Sequence, residues 1–192
     1  MRLANVYLQL REYSEAIMTC NRALEIDSTH LTLHRIKGFA TFRNGNFEEA
    51  MESFRYLLQR GDSGKVVLKH LGISEIKEYE FDRARTHLLK LHALDSTDQE
   101  VCFFLGRAFL NSDKPQEGLH YLELADSLAQ PDPEVLAAIF MEKIAIYTSL
   151  KMHREAIESY EEAYRYIQNP EYLFFMASSY QFNLEDKSMA LR

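Results

Sequence analysis

GDSGKV, residues 61–66, is the segment of this sequence nearest in form to a phosphate-binding loop. Such a loop needs a further glycine five residues before Gly64 and a hydroxyl after the lysine, on a turn that leaves a strand and opens a helix. Gln59 and Val66 hold those positions, and the flanking segments read as helices, so a plain turn is expected and no nucleotide cofactor. The seven histidines are His30, His34, His70, His87, His92, His120 and His153. His30 and His34 have ligand-like spacing, but no HExxH motif accompanies them. His87 and His92 fall on different sides of a helix. No metal site is expected. Cys20 and Cys102 lie 82 residues apart inside predicted helices and read as buried, inert thiols. They favour a reducing compartment such as the cytoplasm. The carboxylate pairs Glu48/Glu49 and Glu161/Glu162 read as a solvated helix face. No Ser/His/Asp or Cys/His set comes together, so the expected role is binding, not catalysis.

Composition bounds what such elements can do. The 192 residues are 46% hydrophobic and 27% charged, with only 7 glycines and 4 prolines, which favours a folded helical chain over sheet. The net charge of −7 disfavours nucleic acid as a general partner. No apolar run approaches the roughly 18 residues of a membrane span.

The organising feature is a repeat. A small residue recurs in SEAI (Ala16), EEAM (Ala50), DRAR (Ala84), QEGL (Gly118), REAI (Ala156) and SMAL (Ala190), at intervals of 34, 34, 34, 38 and 34. Ala4, Gly38, Gly72 and Gly106 recur every 34 residues in the same frame, and Tyr13, Phe47 and Phe81 precede the first three alanines by three. Each repeat reads as two helices joined by a turn. In the second, LTLHRIKGFATFR and FEEAMESFRYLLQR flank the turn Asn44–Asn46, since Asn and Gly tolerate left-handed backbone. Gly38 and Ala50 let the two backbones approach. The junctions carry helix-start signals at Asp27-Ser28-Thr29, Asp62-Ser63, Asp95-Ser96-Thr97-Asp98 and Pro131-Asp132-Pro133, and the last junction is expected to hold the four extra residues.

The period, the EEA-type motif, its Gly/Ala partner and the aromatic before it resemble the tetratricopeptide repeat, across essentially the whole chain. His34, Leu68, Cys102, Phe140 and Phe174 stand where that family often has Trp, and Ser28, Asp62 and Ser96 where it has Pro. The resemblance implies an all-α fold, a right-handed α-solenoid of antiparallel helix pairs. The repeats would span 1–30, 31–64, 65–98, 99–136, 137–170 and 171–192. Met1 and Arg192 then fall inside helices, so a segment of a longer protein is expected. Leu3, Tyr7, Phe174, Phe175 and Tyr180 could join copies through the incomplete ends.

The resemblance also implies that the first helix of each repeat lines a concave, protein-binding surface. In repeats two to four the corresponding stripe carries Arg35, Phe39, Phe42 and Arg43, then Lys69, Ile73, Ile76 and Lys77, then Glu100, Phe103, Arg107, Leu110 and Asn111. With Thr32 and Val66 this stripe has five cations against one carboxylate. The expected partner is a protein segment with apolar anchors and acidic residues, held by an apolar floor and basic rims. The alternatives are a self-associating structural segment, or the regulatory part of a longer enzyme or transcription factor. A subset of the family clamps C-terminal carboxylates. Asn5 matches one position of that clamp, whereas Ile36, Val66 and His70 depart from it.

Overall fold

The computed structural model describes residues 1–110, 112–128 and 132–183. Asn111, Pro131, Ala190 and Arg192 lie outside them. The chain forms two compact units, Met1–Leu94 and Asp95–Arg192. The N-terminal unit holds α1 (Arg2–Gln9), α2 (Tyr13–Ile26), α3 (Leu31–Arg43), α4 (Phe47–Gln59), α5 (Lys65–Lys77) and α6 (Phe81–Leu94). The C-terminal unit holds α7 (Gln99–Phe109), α8 (Pro115–Leu128), α9 (Pro133–Ser149), α10 (His153–Tyr166) and α11 (Pro170–Ser178), followed by the π-helical turn Ser179–Asn183. Among the described residues there is no strand. Within each unit, consecutive helices pack on one another, as helical pairs in series must.

The small residues set the spacing inside each pair. A Cβ added at Gly38 would lie 2.9 Å from the Phe54 ring, and one added at Gly72 2.7 Å from Leu88. Between the pairs sit the apolar cores. In the N-terminal unit Ala50, Met51, Phe54, Leu57, Val67 and Leu71 form one cluster, and Ala4, Cys20, Leu33 and Ile36 another. Cys102, Leu122, Ala125, Ile139 and Ile146 form that of the C-terminal unit. Both cysteines are fully buried thiols, and burial is the main cause that pushes each thiol pKa up. His34 stacks on Tyr56 at 3.9 Å and bonds the Ser28 carbonyl through Nε2 at 2.9 Å.

The turns inside the repeats share one geometry. Arg11, Gly45, Tyr79 and Lys151 all have φ between 60° and 80°. The next residue then bonds back across the turn, as Asn46 N–H does to Thr41 O at 2.9 Å and Met152 N–H to Tyr147 O at 2.8 Å. Only one of the four is glycine, although left-handed backbone strains every other residue type. Lys151→Gly is therefore expected to raise stability by about 0.5–1 kcal/mol. A higher urea midpoint with unchanged slope is the readout.

The four extra residues of the long interval lie elsewhere than expected. α8 ends at Leu128 and α9 begins at Pro133, so the junction is no longer than the one between Leu94 and Gln99. The additional length appears in α9, which has 17 residues against 13 in α3 and α5. Asp132 caps it by accepting from Glu134 N–H at 2.9 Å, and Pro133 fits the first turn, where no N–H is needed. The helix therefore starts one turn early.

Candidate functional site

The stripe expected to bind a partner resolves into residues with different fates. In the N-terminal unit Arg35 is exposed and ion-paired to Asp62. Phe39 and Phe42 are half-buried, edge-on to the His70 ring at 4.9 and 4.8 Å. Phe39 also meets Phe54 and Phe42 meets Phe47. Ile73 and Ile76 are core residues, 4% and 1% exposed, and offer no floor to a ligand. Their helix α5 is packed by α3, α4 and α6, so apolar residues turn inward on several sides. Lys69 is half-buried, and Lys77 lies 5.9 Å over the Phe47 ring. Arg43 is exposed and has no ion pair among the described residues.

In the C-terminal unit Arg107 pairs with Glu142 at 3.5 Å. Phe103 is half-buried against Phe104 and lines a pocket of about 380 Å³ with Gln99, Glu100, Val135 and Ala138. The expected excess of positive charge is thus partly cancelled. Asp62 and Glu142 come from a junction and a neighbouring helix, neither of which belongs to the stripe. Of the residues expected at the ends, Leu3 and Phe174 are 55% and 68% exposed, Phe175 is exposed, and Tyr7 and Tyr180 are half-buried.

Sequence reasoning missed a pocket of about 510 Å³ in the N-terminal unit, lined by Leu8, Gln9, Arg11, Tyr13, Phe39, Arg43 and His70. It is built from the C-terminal end of α1, the turn into α2, and the facing sides of α3 and α5. The repeat held a signal for it. Leu8 and Gln9 stand 34 residues before Phe42 and Arg43, so the stripe extends into the first repeat. The turn then places Arg11 at the edge, fixed by bonds from Arg11 N–H to Leu8 O at 3.2 Å and Glu12 N–H to Tyr7 O at 2.9 Å.

Also missed was a charged cluster on α4, α5 and α6. Glu75 is fully buried. Its carboxylate accepts from Arg55 Nη2 at 3.2 Å and meets His87 Nδ1 at 2.8 Å. Arg55 also pairs with Glu80, which Arg83 contacts at 2.7 Å. Burial alone would raise the Glu80 carboxyl pKa, but hydrogen bonds from Arg83 and Arg55 outweigh it and hold the group low. Burial likewise opposes the Arg55 charge, and its two carboxylate partners more than offset that, raising its pKa. A cleft of about 430 Å³ opens beside the cluster. Every acid in it has a cation and every arginine an acid, so the cluster is structural. Among the described residues no group of His, Cys, Asp and Glu could hold a metal ion, and no helix is long and apolar enough to cross a membrane.

Comparison with known proteins agrees with this geometry. The family model described as tetratricopeptide repeat matches residues 1–30 and 145–170. No curated protein matches the chain. Among solved structures, YrrB, described as a TPR protein with an unusual peptide-binding site, superposes with a TM-score of 0.73 at 20% identity, over 88% of this chain and 85% of its own. MamA gives 0.69 at 21% identity, over 84% and 86%. The C-terminal part of a TPR repeat-containing protein from Cytophaga hutchinsonii gives 0.72 at 14% identity, over 98% and 74%. At these identities the likeness is one of fold.

Proposed function

We propose that this chain, which carries tetratricopeptide repeats and folds as they do, is a protein-binding scaffold whose first helices take a segment of a partner. The observation that carries the reading is the pocket on α1, α3 and α5, with exposed cations set beside half-buried aromatic rings. Its size falls in the range typical of ligand sites, and its lining is mainly polar, with Leu8 and Phe39 as the apolar part, which suits a polar or charged group of a peptide. A repeat array suits this role because each added helix pair extends one continuous surface. Binding, and not catalysis, also fits the fate of the titratable groups, which are spent on internal pairs such as Glu75 with His87. The solved structure of YrrB, described as having a peptide-binding site, supports the reading by analogy of fold.

The test is selection of a random peptide library on the full chain, followed by hydrogen–deuterium exchange with an enriched peptide. Slowed exchange is expected in α1, α3 and the turn at Arg11. A footprint confined to α4 and α6, or a library with no enriched peptide, would refute the proposal.

A further inference from the structure

We infer that the α1–α3–α5 pocket reads a carboxylate: Arg43 and Arg11 receive an Asp or Glu side chain of the bound segment, while Phe39 and Leu8 hold the aliphatic or aromatic residue beside it. The inference rests on the scaffold reading above and assigns the chemistry of its ligand.

The argument begins with where the arginines of this acidic chain find their counter-charges. Arg35 pairs with Asp62, Arg55 with Glu75 and Glu80, Arg83 with Glu80, Arg85 with Asp82, Arg107 with Glu142 and Arg165 with Glu162. Arg11 and Arg43, like Arg2, Arg22, Arg60 and Arg154, have no such pair among the described residues, but only Arg11 and Arg43 come together in this pocket. No carboxylate is among its lining residues. The remaining polar groups there are Gln9 and Tyr13, which can donate hydrogen bonds, and His70, whose Nδ1 donates to Val66 O at 2.8 Å. The local field is therefore positive in a chain whose net charge is −7.

The guanidinium fork matches a carboxylate with two parallel hydrogen bonds, and such charge-assisted bonds are roughly twice as strong as neutral ones. Arg11 is held in place by its turn, whose backbone bonds fix the residue at φ 62° on the pocket's edge. The Phe39 ring is fixed in turn by Phe54 and His70, so the apolar wall is formed before a ligand arrives. A polyanion is a poor occupant, because the field of the whole chain repels it and the Phe39–Leu8 wall has no use for it. A peptide carrying one acidic residue beside an apolar one satisfies both halves of the pocket.

The test uses two random peptide libraries with a fixed Leu followed by one fixed residue, Glu in the first and Gln in the second. They are selected in parallel on the full chain and on an Arg11→Gln/Arg43→Gln variant. Both arginines are exposed and without ion pairs, so the variant should melt with the wild type. The Glu library is expected to outperform the Gln library by about tenfold or more on the wild type, and the two to be equal on the variant. Equal enrichment of both libraries on the wild type, or a Glu preference that survives in the variant, overturns the carboxylate inference and leaves the scaffold reading standing. No enrichment of either library overturns both.

Discussion

Gly118→Ala is expected to lower the stability of the C-terminal unit by about 2–3 kcal/mol, the upper end for added volume in a packed core. The neighbouring repeats make this effect unexpected, since Ala16, Ala50, Ala84 and Ala156 hold the same position and are buried without harm. What differs is the partner. A Cβ at Gly118 would stand 2.9 Å from the Gly106 carbonyl oxygen, 2.8 Å from Ile146 Cδ1 and 3.1 Å from Phe109 Cβ. The first contact is backbone and cannot rotate away. Reciprocally, a Cβ at Gly106 would meet the Gly118 carbonyl at 3.1 Å, so α7 and α8 approach through a pair of glycines. At Gly38 the obstacle is only the Phe54 ring, which can shift. The usual helix gain of about 0.5–1 kcal/mol for Gly→Ala offsets part of the loss. Gly64→Ala is the control: only Asp62 Oδ1 lies near, at 3.4 Å, and its φ is −61°. That change should alter stability by less than about 1 kcal/mol, because the entropy removed from the unfolded chain is offset by the poorer N-cap that Ala makes at the start of α5. Urea unfolding of both variants measures the contrast, and equal midpoints would refute the close glycine pair.

Arg55→Leu should cost a similar amount, about 2–3 kcal/mol. Removing one partner of a buried ion pair typically costs about 3–5 kcal/mol. The lower figure applies because Arg55 is 31% exposed and solvent screens it. The variant leaves the fully buried Glu75 with His87 alone. Adding Glu75→Leu should return most of the loss, because an apolar residue of similar size suits the site once the cation is gone. The interaction free energy from the double-mutant cycle is the measurement. Additive losses would mean that Arg55 stabilises through Glu80 and not through Glu75. The wild type should also lose stability in acid. Glu80 has a depressed carboxyl pKa, so its contribution is complete above the ordinary Glu value near about 4.3 and disappears as pH falls through its lower folded value.

The period of the sequence was enough to bound the helices of the second repeat. α3 is Leu31–Arg43, and α4 begins at Phe47 as the motif required. The period is informative because one geometric constraint, two backbones in contact, recurs at each Gly/Ala pair. The site was less legible, for three physical reasons. A stripe on a helix does not say how many neighbours the helix has, so Ile73 and Ile76 could not be told from groove residues until α5 was seen enclosed. Ion pairs join residues far apart in sequence, so the partners of Arg35 and Arg107 escaped a count made along single helices. Arg11 belongs to a turn, and turn residues fall outside any helical stripe. Glu75 was hidden differently: its position holds Thr41 one repeat earlier, a small hydroxyl that bonds its own helix at Lys37 O and Gly38 O.

The same Glu75 bears on a difficulty peculiar to chains made of near-copies. A helix pair shifted by one whole repeat would find small residues, aromatics and turns all in equivalent places, so packing alone hardly penalises the mistake. Glu75 removes that degeneracy. One repeat further along, the positions of Arg55 and His87 hold Leu89 and Tyr121; one repeat back, they hold Asn21 and Ser53. In either wrong alignment a carboxylate would be sealed in the interior with no cation to meet it. The buried charge gives the third repeat an address, and the correct order of the array is the arrangement in which that address can be read.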